Sequence, residues 1–326
     1  MLLIYNDKTD PYFNLASEQY LLESFTEPII MLWRNDRAVI VGRNQNAVEE
    51  INREYVREHN IKVVRRLTGG GAVFHDLGNI NYTIIQPYDR TAFCDYAFFT
   101  KPICDFLQSL GVNAFLSGRN DLHIDGSKFS GNAQTLYGDR HMHHGTLMFQ
   151  ADIEQMSQAL NPNPLRLQSK GIKSVSSRVT NISSHLNHSV TTERFLADLY
   201  TYLKNSRNDI TEYAFSERDH QMIQKLADEK YSTWEWNFGK SPEYSLRGHQ
   251  LFPFGLVDVR LLVKDGVISS AAIFGDFFGS REIAELEKTL VGLRHTRKDI
   301  LEALSLIHIN EYIVGISEEQ FCKLIL

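Results

Sequence analysis

Cysteine is scarce: the 326-residue chain has three, Cys94, Cys104 and Cys322, an odd number with no CxxC spacing among them. That excludes a disulfide scaffold and points to a reducing compartment, with the cytoplasm as the expected location. No run of about 18 apolar residues occurs. The N-terminal stretch MLLIYNDKTDPYFN carries charges and a proline and has no basic leader, so neither a membrane span nor an export signal is expected. An excess of positive charge is missing too. With a formal net charge of −6, the chain is not a general nucleic-acid binder, and any anion site has to be a local positive pocket suited to a small molecule.

What is present is 43% hydrophobic residues, enough for a large core, and one unusual stretch. Residues 65–76, RRLTGGGAVFHD, join two arginines, three consecutive glycines and a short apolar strand. Adjacent glycines lose backbone entropy on folding, so such a run marks main chain that takes positive φ or lies close against another group. Arg65 and Arg66 offer planar forks to phosphate or carboxylate, and the glycine amides can donate to the same anion. The competing reading is a tight strand connection that follows two surface arginines. The run has neither the Gly-Lys-Ser/Thr ending of a P-loop nor the spacing of a dinucleotide fingerprint, which excludes both labels.

A second stretch, residues 117–134 (SGRNDLHIDGSKFSGNAQ), alternates as strands about an Asp125-Gly126 hairpin turn and puts Lys128 on a strand ahead of small residues. A compact ammonium there can reach a phosphate; the alternative is a strand lysine that points to water. Asn120 and Asp121 have oxygens that suit Mg²⁺, which needs one or two carboxylates plus phosphate; alternatively Asp121 is a turn aspartate bonded to nearby amides. In RHMHHGTLMF, alternation puts His141 and His143 on one strand face and His144 on the other, against a zinc site. Arg43, in the loop GRNQN, is either a further ligand residue or a solvated loop arginine.

Strands are expected at residues 2–5, 29–33, 38–41 and 61–64, and on both sides of the glycine stretch. A helix capped by Asn14, with Leu15, Leu22 and Phe25 on its apolar side, follows the first strand; one of about a dozen residues follows GRNQN. Residues 95–110 read as a helix ended by Gly111, and helices near 191–203 and 216–230 begin at threonine or serine. Many strands with few helices between them define an α+β fold on a mixed or antiparallel sheet. From about residue 245 the pattern restarts: a strand to Lys264, a turn at Asp265-Gly266, a second strand, and helices from 281, 296 and 317. The expected organisation is therefore residues 1–244 and a small α+β domain of residues 245–326. Residues 169–181, SKGIKSVSSRVTN, are either a mobile basic loop over the site or a solvated loop without a role.

Four ordered motifs, RRLTGGGAVFHDLGN, SGRNDLHIDGSKFSGNAQ, HHGTLMF and SKGIKSVSSRVTNI, resemble those of the lipoate-protein ligase A family over essentially the whole chain. The resemblance implies a large mixed-sheet catalytic domain of the biotin/lipoate ligase type and a C-terminal accessory domain. It implies that ATP and Mg²⁺ are used to join lipoate, or octanoate, to the α-phosphate as an acyl-AMP. The acyl group then passes to a lysine of an acceptor, a 2-oxoacid dehydrogenase E2 lipoyl domain or the glycine cleavage H protein, with no covalent enzyme nucleophile. Carried over position by position, Arg66, Gly71, Ala72, Val73 and Phe74 contact the nucleotide. Lys128 touches both the lipoate carboxyl and the phosphate as the catalytic residue. Gly70, His75, Gly131, Ala133, His144 and Gly145 join it at the lipoate site, and Asp121 holds Mg²⁺. One departure is Ser176, where relatives are expected to have an arginine; Arg178 is the cation left nearby.

Three rivals remain. An octanoyl- or lipoyl-transferase would hold the acyl group as a cysteine thioester, but no cysteine lies near HHGTLMF; Cys94 and Cys104 are the ones to replace. A biotin ligase would show a GRGRxG-type loop, which is absent. A non-catalytic binder of lipoyl groups or nucleotides would keep the pocket without turnover, a reading that Ser176 keeps open.

Overall fold

The computed structural model describes residues 1–88, 95–160, 179–239 and 244–326. Its first two strands, β1 (Leu2–Tyr5) and β2 (Ile29–Trp33), run parallel side by side. Every residue of IIMLW in β2 is buried, as in a strand covered on both faces: Ile30 and Leu32 enter one core, and Ile29, Met31 and Trp33 another. Between these strands lies the helix Pro11–Ser24. Its cap is Asp10, whose carboxylate accepts from the amides of Tyr12 and Phe13, because Pro11 at the first helical position fixes the start there, ahead of the expected cap at Asn14. Asn14, expected as the cap, is inside the helix and fully buried.

β3 (Ala38–Val41), β4 (Lys62–Arg65) and β5 (Val73–His75) form a separate small sheet ordered β4-β3-β5. The helix expected after GRNQN is two, Ala47–Glu50 and Arg53–Glu58: Ile51 turns extended to bridge Leu160, and the Asn52 side chain caps the second piece. β6 (Asn79–Pro87) returns to the large sheet. β7 (Ala114–Ser117), β8 (Asp121–Ile124), β9 (Ser127–Tyr137), β10 (Arg140–Met148) and β11 (Thr211–Glu212) complete it in the order β11-β1-β2-β6-β10-β9-β8-β7. The β8–β9 turn is the expected Asp125-Gly126 pair, with φ of 51° and 80°. One face of the sheet is covered by the helices Tyr96–Ser109 and Thr192–Asn205 through Phe99, Ile103, Phe106, Phe195 and Leu199. Pro11–Ser24 and Glu217–Leu226 cover the other through Leu15, Leu22 and Ile223. The expected α+β class, with a mixed sheet, is the observed one.

In the tail, the strand expected up to Lys264 is two, β12 (Leu246–Phe252) and β13 (Gly255–Lys264), followed by β14 (Val267–Gly275). This antiparallel sheet has its own core with the helices Ile283–Leu290, Arg297–Ser305, Ile309–Tyr312 and Glu318–Ile325. It rests on the residues that follow β3 and on the glycine stretch. The Gly275 amide donates to the Asn44 carbonyl at 2.8 Å, Arg43 pairs with Glu282, and Arg260 pairs with Glu49 at 2.6 Å. No helix among the described residues is long and apolar enough to cross a membrane.

Candidate active site

The β4–β5 loop is built from behind by its two arginines. Arg65 is buried and directs its guanidinium at the carbonyls of Gly42, Arg43, Gln45, Trp236 and Asn237, at 2.7–3.0 Å. Arg66 is also buried. It donates to the Ile40, Gly69 and Gly71 carbonyls at 2.7–3.1 Å and to the Thr68 hydroxyl at 2.9 Å. Burial lowers both guanidinium pKa values to about 10, so they remain charged at neutral pH. The forks read from the sequence as anion contacts thus brace the main chain, with their carbonyl partners satisfying donors that would otherwise be buried and unpaired. The glycines answer a different demand. A Cβ on Gly69 would overlap the Phe277 carbonyl oxygen, and one on Gly70, which has φ of 90°, would lie 3.3 Å from the Phe278 ring. Something does touch this main chain, and in the described structure it is the tail.

Lys128 lies on β9. Its ammonium folds back over Gly131, 3.1 Å from where a Cβ would stand, and bonds to Asp121 Oδ1 at 2.8 Å. Asp121 is the cross-strand partner of Gly131, and the register shift between Leu122 and His123, which pair with Ser130 and Lys128, lets residues 128 and 131 share a face, so lysine, glycine and aspartate come together. Both charged side chains are about one-third exposed, at 34% and 33%. The Thr180 amide donates to the Lys128 carbonyl at 2.8 Å and holds its backbone from the other edge. For Mg²⁺, Asp121 is a single carboxylate; no group of three potential metal ligands occurs among the described residues. That donor set fits an ion held mainly by phosphate and water.

A buried chain of hydrogen bonds connects the loop to the large sheet. Glu18 Oε1, 2.8 Å from His144 Nδ1, accepts from the Thr83 hydroxyl at 2.6 Å; Trp33 Nε1 donates to Thr83 Oγ1 at 2.9 Å. His144 Nε2 meets Thr68 Oγ1 at 2.8 Å, and Thr68 leads on to Arg66. Alternation places His144 here, opposite Ala133 in the β9–β10 register, while His141 and His143 pack under Phe99 on the other face. Burial holds His75 at about 3 and His141 at about 4, and His143 well below its ordinary range; all three are neutral bases. A Cβ on Gly145 would overlap the Asn132 amide and the Tyr82 ring, so its glycine makes room for that pair. Ala72 packs against the small-sheet core that includes Phe74, and Val73 packs on the core beneath the helix Pro11–Ser24.

Glu18, Thr68 and Asn35 were not singled out by sequence reasoning. Glu18 leaves a trace, since Asn14 and Glu18 stand four apart, on one face of the helical run PYFNLASEQYLL. Cys104 is half-buried with its thiol pushed up to about 11, and Cys322 is buried with its thiol raised; neither has the depressed pKa of a nucleophile. Cys94, Ser176, Arg178 and the basic segment up to residue 178 lie outside the described residues.

The chain belongs to the lipoyl protein ligase family. Residues 10–204 match the lipoyl protein ligase A/B catalytic domain, and residues 241–325 match the bacterial lipoate protein ligase C-terminus. The chain is 42% identical over 330 residues to the lipoate-protein ligase LplJ of Bacillus subtilis, covering 100% of both. Among solved structures, P. falciparum LipL1 in complex with lipoate superposes with a TM-score of 0.78 at 26% identity over 94% of each chain. Lipoate-protein ligase A bound with ATP gives 0.63 at 26% identity, over 73% of this chain and 98% of that one.

Proposed function

We propose that the protein is a lipoate–protein ligase that uses ATP to make lipoyl-AMP and then lipoylates a lysine of an acceptor domain. The observation that supports this reading is the Lys128–Asp121 pair laid over Gly131, in a chain that belongs to the lipoyl protein ligase family. In the first step a lipoate carboxylate oxygen attacks the α-phosphorus, the C–O–P linkage forms, and the bond to pyrophosphate breaks. Lys128 exchanges Asp121 for the carboxylate and phosphate and neutralises the charge that accumulates between them. Mg²⁺, when bound with ATP, would offset charge on the phosphates, with Asp121 as its protein carboxylate. In the second step the deprotonated acceptor amine attacks the acyl carbon, and AMP leaves with the bonding electron pair.

The nucleotide contacts we assign to residues 71–73 are made by main chain. Arg66 acts on them from behind through the Gly71 carbonyl, and Phe74 anchors the strand in the core. Gly70, His75, Gly131, Ala133, His144 and Gly145 are assigned to the acyl side of the site. Residues 1–244 form the catalytic domain and residues 245–326 the accessory domain in this reading, with the cytoplasm as the location. Octanoate is an alternative substrate, and E2 lipoyl domains or H protein are the acceptors.

The test is mass spectrometry of a purified lipoyl domain or H protein after incubation with enzyme, lipoate, ATP and Mg²⁺. The expected product carries one lipoyl group and is absent without ATP. Transfer that proceeds without ATP would replace this reading with that of a thioester transferase.

A further inference from the structure

His75 is buried, and its Nε2 has no hydrogen-bond partner. Its other ring nitrogen, Nδ1, lies 3.0 Å from Asn35 Nδ2. Which nitrogen carries the proton follows from a row of buried amides whose directions main-chain groups dictate. The Lys8 amide can only donate, and it meets Asn6 Oδ1 at 3.1 Å; Asn6 therefore turns its Nδ2 to Asn14 Oδ1 at 2.9 Å. The carbonyls of Lys8 and Arg34 can only accept, and both lie 2.9 Å from Asn14 Nδ2. That nitrogen has two hydrogens for three oxygens and cannot accept, so the Asn35 atom 2.9 Å from it is Oδ1, which shares one of those hydrogens. Asn35 is left with its NH₂ facing the imidazole, so Nδ1 is the acceptor and the ring proton sits on Nε2. Asn14 and Asn35 are fully buried, which keeps water from reversing the order.

We propose that Asn6, Asn14 and Asn35 are positioning residues that lock His75 as the Nε2–H tautomer and hold it as a neutral donor for an acceptor atom of the acyl substrate. A buried N–H without a partner destabilises the fold, and a binding site is where that cost is recovered when a ligand arrives. The Trp33 ring stands edge-on to the imidazole at 6.3 Å. A neutral donor against an aromatic wall suits an isolated oxygen on an apolar chain, whereas phosphates are better met by cations. This inference rests on the ligase reading for the identity of the substrate, but not for the tautomer.

The experiment is ¹⁵N NMR of the full-length enzyme, with the His75→Gln protein assigning the signal. The expected spectrum has the His75 proton on Nε2, and lipoate alone shifts that signal. In Asn35→Asp, a carboxylate accepts from Nδ1–H, so the proton moves to Nδ1. The KM for lipoate in pyrophosphate exchange then rises about tenfold, while the KM for ATP stays unchanged. A wild-type proton on Nδ1, an Nε2 signal that ignores lipoate, or a switched tautomer with an unchanged lipoate KM would each overturn the proposal. If Asn35→Asp does not fold, the two wild-type spectra decide. Absence of acceptor lipoylation by the wild-type enzyme would strike the ligase reading, whichever tautomer is found.

Discussion

An ammonium that leans over a glycine onto one carboxylate can exchange that partner for a phosphate without rebuilding the strand beneath it. Lys128→Ala is therefore expected to slow lipoate-dependent ATP–pyrophosphate exchange by about 10²–10³-fold. The far-ultraviolet circular dichroism should not change, because the β8–β9 register is a main-chain property. Exchange at the wild-type rate would remove Lys128 from the chemistry. For the cysteine, a thiol held near 11 is protonated at neutral pH, so Cys104→Ala should leave acceptor lipoylation within about twofold of wild type; its loss, assayed on a lipoyl domain, would point to a thioester route. At this scale the sequence was readable in kind but not in direction. It shows two arginines beside three glycines, yet not that both forks turn inward, since the carbonyls that receive them come from residues 40–45, 69–71 and 236–237. The amide row is hidden for the same reason: Asn6, Asn14, Asn35 and His75 meet only after folding.

Strands were the legible elements. Runs such as IIMLW and AVIV are apolar without interruption and bounded by polar turns, and each is a strand buried on both faces. Helix starts were less so: proline at the first position decided for Asp10 over Asn14, and a distant bridge to Leu160 broke the helix expected after residue 46. The glycine run was recognised as main chain in close contact, but its partner lies some two hundred residues on, at Phe277 and Phe278. Gly69→Ala tests that contact. The new methyl meets a backbone oxygen that no rotamer change can move, so thermal unfolding should show a loss of about 1–3 kcal/mol and faster proteolysis of the tail. A variant as stable and resistant as wild type would show that the tail does not rest on the loop in solution.

For the molecule as a whole, acid is the informative stress. His75, His141 and His143 are kept neutral by burial, with folded values of about 3 and about 4 for the first two, whereas in the unfolded chain each takes up a proton near pH 6.5. Their stabilisation is complete above that pH and is lost as pH falls towards the folded values, by about 1.4 kcal/mol per pH unit for each histidine. The urea midpoint should therefore be flat between about pH 8 and 7 and fall steeply from about pH 6 to 4.5; a midpoint unchanged at the lower end would mean that these rings are hydrated. The tail presses on two loops, Gly42–Asn46 and Gly69–Gly70, through Asn44, Arg43 and the glycines. Yet every bond from the Arg65 and Arg66 forks ends on residues before 240. The lacing of the loop is thus made wholly by residues that come before the tail, and removal of the tail is expected to leave those bonds in place.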